Sequence, residues 1–169
     1  NNDGTKLFVA DIGANAGDRA VIIEFDLSSP FDFGTTSSSI SPNITAMRDG
    51  TNINEFTVST KINGIVFNHN GTKMYVSSSI SGSNSELIQF KLTTAFDTST
   101  RVHEGTIDMT TLDVDQITQQ VFSSDGSKLF VLDNETKKVF EFDLSCNWSI
   151  IDGACDDPVG EYKGGKDHL

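Results

Sequence analysis

His69-Asn70-Gly71-Thr72-Lys73-Met74-Tyr75-Val76 decides the fold, because the chain writes it two more times. The other copies are Asn2-Asp3-Gly4-Thr5-Lys6-Leu7-Phe8-Val9 and Ser124-Asp125-Gly126-Ser127-Lys128-Leu129-Phe130-Val131. Each is followed by a second motif at a similar offset: Ile23-Glu24-Phe25-Asp26-Leu27-Ser28, Ile88-Gln89-Phe90-Lys91-Leu92-Thr93 and Phe140-Glu141-Phe142-Asp143-Leu144-Ser145. Recurrence of this kind means one supersecondary unit copied several times, with an apolar face that no unit can bury alone. The spacing between the paired motifs varies, as expected where loops absorb insertions and packed strands do not.

Each unit reads as a β-hairpin preceded by a tight turn. Asn-Gly and Asp-Gly favour turns because glycine takes a positive φ without steric cost and Asn or Asp tolerates it. Short strands Ile62 to Phe67 and Ile117 to Phe122 lead into two of the turns. Leu-Phe-Val or Met-Tyr-Val then forms a strand buried on both faces. In the second motif Ile23, Phe25 and Leu27 alternate with Glu24 and Asp26, and Phe140, Phe142 and Leu144 with Glu141 and Asp143. A period of two marks a half-buried strand, with the acids on a solvated face. An aromatic follows each pair, at Phe31, Phe96 and Trp148, and reads as a plug over the end of its own unit. A fourth strand is expected in each connector, near Ile53-Phe56-Val58 and across Arg101 to Ile107.

The spacing predicts strands at about residues 6–10, 20–26, 64–68, 73–77, 87–92, 118–122, 128–132 and 138–143, and no helix. Four short strands per unit make the blade of a β-propeller. The fold class is therefore all-β, with repeated four-stranded antiparallel units at about 1–61, 62–116 and 117–149. Residues 150–169 read as a Gly/Asp-rich tail or linker closed by a disulfide. Three units are fewer than usually close a propeller, and the chain begins inside a motif. It is expected to be part of a longer array, or to be completed by other copies, since open blade edges invite association.

The motifs Phe-Asn-x-Asn/Asp-Gly-Thr-Lys-Met/Leu-Phe/Tyr-Val and x-Phe-x-Leu-Ser/Thr followed by Pro/Ala-Phe-Asp resemble the propeller repeats of large secreted and surface proteins of marine bacteria and their phages. They are more distantly similar to YVTN and surface-layer propeller repeats. The resemblance covers about residues 1–149. Phe96-Asp97 matches its second element best, and Cys146-Asn147-Trp148-Ser149 departs from it. The resemblance implies a propeller and an extracellular, cell-surface or virion-surface setting.

The 169 residues carry a net charge of −12. That excludes the basic face a nucleic-acid binder needs, and it opposes adsorption to anionic membranes. No apolar run approaches bilayer-spanning length, so no membrane insertion is expected. No secretory signal precedes the first repeat, and a chain that starts mid-repeat would have lost one.

Candidate sites are sparse. Cys146 and Cys155 are the only cysteines, and with Asp152-Gly153 between them they read as a disulfide formed in an oxidising compartment. Asp11, Asn15 and Asp18 place oxygen-bearing side chains along a Gly-rich loop, a weak candidate calcium site that lacks a closing Glu. A long hairpin loop accounts for the same residues. Asn43, Asn70, Asn134 and Asn147 stand in Asn-x-Ser/Thr sequons, which matter only in a secreted eukaryotic protein. His69, His103 and His168 are scattered, and the chain holds no zinc pair, nucleophile elbow, Walker loop or dinucleotide fingerprint. No catalytic residue, cofactor or metal is assigned from sequence.

These readings lead to an expected non-catalytic extracellular module, structural or adhesive, acting by assembly or surface contact. Its expected partners are other copies, other parts of a longer chain, or surface glycans. The alternatives are a propeller that binds a glycan, peptide or calcium, and a propeller hydrolase of the lactonase kind. Convergent polar residues in a shaped cleft would separate the last from the first.

Overall fold

A computed structural model describes residues 1–11, 21–35, 43–46, 61–80, 84–151 and 163–168. Among the described residues, three antiparallel sheets follow one another along the chain. The first orders β1 (Lys6–Asp11), β2 (Val21–Asp26) and β3 (Asn43–Ala46). The second orders β4 (Lys61–Phe67), β5 (Lys73–Ile80), β6 (Asn84–Leu92) and β7 (Arg101–Asp108). The third orders β8 (Ile117–Phe122), β9 (Lys128–Asp133), β10 (Lys138–Asp143) and β11 (Lys163–His168). These are propeller blades, each meandering outward from an inner strand. β4 packs against both β1 and β8, so the inner strands stand side by side.

The repeat is exact in register. Lys6, Lys73 and Lys128 pair with Asp26, Lys91 and Asp143, which makes Phe25, Phe90 and Phe142 equivalent. Ile22, Leu87 and Val139 are equivalent by the same count, as are Glu24, Gln89 and Glu141.

The turn residues repeat with the strands. Asp3 Oδ1 accepts from Thr5 N at 3.0 Å and Thr5 Oγ1 at 2.6 Å, and Asn70 and Asp125 do the same for Thr72 and Ser127. Gly4, Gly71 and Gly126 hold φ of +70°, +71° and +74°. The aromatic plugs then seat on these glycines. A Cβ on Gly4, Gly71 or Gly126 would lie 2.4, 2.3 or 2.2 Å from the ring of Phe31, Phe96 or Trp148. Each plug N–H also donates to the carbonyl of its glycine, at 2.8–2.9 Å. Glycine is thus fixed twice, by backbone conformation and by the ring lying on its Cα.

Two cores separate the sheets. Ile22 from the first sheet packs with Ile62, Met74, Val76, Ile88, Phe90 and Leu92 from the second. Tyr75 and Leu87 from the second pack with Ile117, Phe122, Leu129, Val131, Phe140 and Phe142 from the third. The middle sheet is consequently buried on both faces.

The acids of the second motif do not share one solvated face. Glu24 is 5% exposed, because the second sheet covers the face of β2 that carries Ile22 and Glu24. Asp26 and Asp143 remain substantially in solvent. The tail also departs from expectation. Lys163–His168 adds to β10 as the outer strand of the third sheet instead of trailing away as a linker. The strand expected near Ile53-Phe56-Val58 lies outside the described residues, and the outer strand of the first sheet is Asn43–Ala46.

Candidate functional site

The turns and plugs of successive blades gather at one end of the inner strands. There Phe67 ends β4 and Phe122 ends β8, each leading into its turn. Phe67 lies 4.4 Å from Phe8 and 5.5 Å from Phe96 between ring centroids, and Phe122 lies 4.4 Å from Tyr75 and 5.2 Å from Trp148. Between these ring pairs opens a cleft of about 470 Å³. Its apolar floor is Ile65, Val66, Phe67, Phe96, Phe122 and Trp148, and its rim is Asn1, Asn2, Asn68, His69, Ser123 and Ser124.

Hydrogen bonds fix the rim. Asn68 is buried; its Nδ2 donates to Thr72 Oγ1 at 3.1 Å, and its Oδ1 accepts from Lys73 N at 2.8 Å. Asn2 Nδ2 donates to the His69 carbonyl at 2.6 Å and stands 3.4 Å from His69 Nδ1. His69 itself is exposed at the cleft mouth. Ser123 Oγ donates to Asp125 Oδ1 at 2.7 Å. That bond, with those from the N–H and hydroxyl of Ser127, holds the Asp125 carboxyl down at about 2. Behind the floor, Tyr75 donates its hydroxyl to the Trp148 carbonyl. Burial, with the nearby Glu104 charge, pushes the Tyr75 phenol far above its usual range, so it stays a neutral donor. The arrangement is a cleft of mutually tilted aromatic rings edged by amides and hydroxyls, with one imidazole among the described lining residues. It suits a compact, largely neutral ring, since aromatic faces take up apolar ring edges while a few polar groups set orientation.

The opposite end of the strands holds a different polar group. Asp133 is fully buried. Its carboxylate accepts from Gln116 N at 2.8 Å, Glu135 N at 3.0 Å and both the N–H and hydroxyl of Thr136. Burial alone would raise its pKa, but these donors hold it below the ordinary value. It braces two loops and is shielded from any solute.

Among the described residues, those singled out from sequence are not assembled into one site. Asp11 is described in backbone only, and Asn15 and Asp18 lie outside the described residues, as does Cys155. Among the described residues no group of metal-ligating side chains converges. Asn70 is committed to its turn, Asn134 bonds Gln116 and Lys137, Asn147 is exposed, and Asn43 is described in backbone only. His103 sits beside the Phe90 ring and Thr106, and His168 is described only as backbone in β11. Among the described residues, His69 is the histidine that lines the cleft. The cleft escaped sequence reading because strand ends and turns from different blades build it. Phe67 and Phe122, ahead of the second and third turns, were its one visible signal.

No sequence-family profile matches the chain, and no curated protein matches it. Among solved structures it is similar to a "putative 6-phosphogluconolactonase" from Bacteroides fragilis, with a TM-score of 0.55 and 15% identity. The match covers all of this chain and 40% of that one, so the chain spans well under half the length of the protein it matches. The likeness bears on the fold, which agrees with a propeller. It also corrects the functional expectation. A non-catalytic adhesive module was expected, and the solved likeness is to a protein named for an enzyme.

Proposed function

We propose that this chain contributes to a propeller hydrolase that opens neutral lactones or related cyclic esters. The observation that carries this reading is the whole-chain likeness to a protein named as a lactonase, together with a cleft shaped for a small ring. Charge narrows the substrate class. The chain carries a net −12, and among the described residues neither Lys nor Arg lines the cleft. A phosphorylated substrate would meet repulsion and no counter-charge, so an uncharged lactone is the better fit.

In this reading the ring lies on Phe122 and Trp148, and rim amides orient its carbonyl. His69, the imidazole among the described lining residues, accepts a proton from the attacking water. The water oxygen bonds to the carbonyl carbon, the ring carbon–oxygen bond breaks, and the released alkoxide takes up the proton. The products are a hydroxy acid and the regenerated imidazole.

A pH-stat assay of the purified chain against a panel of uncharged five- and six-membered lactones tests this. Ring opening faster than in buffer is expected, with His69→Gln slowing it by about 10²-fold or more. Opening at the buffer rate, or a His69→Gln variant as fast as the parent, would sink the reading. Tight binding of a lactone or sugar without turnover would favour the ligand-binding alternative instead.

A further inference from the structure

One repeat position changes its chemistry in the middle blade, and the change reaches the cleft. By the register that aligns Lys6, Lys73 and Lys128, the residues Phe8, Tyr75 and Phe130 are equivalent. The ring contact made from this position recurs. Phe8 packs on Phe67 and Tyr75 on Phe122, both at 4.4 Å between centroids and tilted by 44° and 45°. A phenyl ring therefore satisfies the packing, and the hydroxyl of Tyr75 is an addition to it.

A buried hydroxyl needs a partner, and Tyr75 is 0% exposed. It donates to the carbonyl of Trp148, the plug of the following blade. Trp148 stands at φ +59°, and its N–H donates to the Gly126 carbonyl at 2.8 Å. Its own blade thus fixes one side of the residue, and Tyr75 of the preceding blade fixes the other. Gln89 does not duplicate this bond, because it accepts from Ile150 N, two residues farther on. At the first junction the corresponding plug is Phe96, and Phe8 has no hydroxyl to offer it. There the Phe67 and Phe96 rings are 5.5 Å apart and tilted by 52°. The Phe122 and Trp148 rings are 5.2 Å apart and tilted by 34°. The junction with the hydroxyl holds the closer and flatter pair.

We infer that Tyr75 is a positioning residue for the cleft. Its ring supports Phe122 and its hydroxyl holds Trp148, so one side chain sets the spacing and angle of the two rings that receive a small neutral ring. Tyr75 is absent from the described cleft lining, and its effect passes through Trp148. The inference rests on the reading of this cleft as a ring-binding site.

Trp148 is the only tryptophan of the chain, so its fluorescence reports its own placement with no substrate present. Tyr75→Phe removes the hydroxyl alone and should fold, with circular dichroism like that of the parent, since Phe8 and Phe130 occupy the same position. Acrylamide should quench Trp148 more steeply in this variant than in the parent. With δ-valerolactone as substrate, KM should rise about tenfold and kcat stay within about twofold, because the floor supports bound substrate and transition state alike. In a Trp148→Ala background the same change should leave KM where Trp148→Ala alone sets it, as no ring remains to be placed. Unchanged quenching overturns the inference, and so does a KM effect that persists without the Trp148 ring. A Tyr75→Phe chain that loses stability in urea while KM and quenching stay at parent values also overturns it, as does one that fails to fold. Should the parent open no lactone, the reading of the cleft falls, and the quenching comparison alone decides whether Tyr75 places Trp148.

Discussion

Substituting Gly71 by alanine isolates the device that closes each repeat. Two costs combine. At φ +71° a Cβ pays about 1–2 kcal/mol for left-handed backbone. That Cβ would also lie 2.3 Å from Phe96 Cδ2, where carbon atoms normally rest at about 3.5–4.0 Å. The ring must therefore retreat by more than an ångström. Doing so loosens its contact with Phe67 and strains the Phe96 N–H bond to the Gly71 carbonyl, 2.9 Å long. Overpacking of this kind costs about 1–3 kcal/mol. The sum is about 2–5 kcal/mol, a large share of a domain's total stability. Urea unfolding followed by fluorescence of Trp148, one sheet away, reads it. The same substitution in a Phe96→Ala background should cost only the backbone part, about 1–2 kcal/mol. A Gly71→Ala variant within about 0.5 kcal/mol of the parent would refute the reasoning. So would an undiminished cost once the ring is gone.

Two further outcomes follow from the packing and the buried charge. Phe90→Ala and Phe142→Ala should each cost about 3–5 kcal/mol in urea unfolding, because both rings are buried at equivalent positions. Values differing severalfold would break the equivalence. Asp133 has its pKa depressed below the ordinary 3.8. Its contribution is therefore full above that value and is lost as pH falls through the lower folded value. Asp133→Asn should lower the urea midpoint near neutral pH by the equivalent of about 1–3 kcal/mol and flatten the acid limb below about pH 4. An unchanged acid limb would exclude Asp133 as its source.

The repeat was legible because turn chemistry and strand alternation are local. Asn-Gly or Asp-Gly before an apolar run marks the turn, and the plug aromatics recur at Phe31, Phe96 and Trp148 however long the loops grow. The burial of Glu24 was not legible. In sequence it alternates with apolar residues as Asp26 does, and only the arrival of the next sheet distinguishes them. The same holds for the cleft, where His69 reads as a turn residue until Phe122 and Trp148 of the following blade are brought beside it. Lys163–His168 offered no strand signal at all. Lys163-Gly164-Gly165-Lys166 lacks β-propensity, and its pairing with β10 depends on the partner edge.

The glycine-and-ring clasp also bears on how such a chain can be rearranged. All its parts lie within one unit: the Leu27, Leu92 and Leu144 N–H groups return to Thr5, Thr72 and Ser127, and each ring returns to its own glycine. A unit cut between one plug and the next inner strand takes its fastener with it. Duplication or deletion of whole units thus leaves every turn sealed, whereas a crossover inside a unit separates ring from glycine and unseals two. Gene rearrangement in this architecture should proceed in whole blades, with the breakpoints in the connectors.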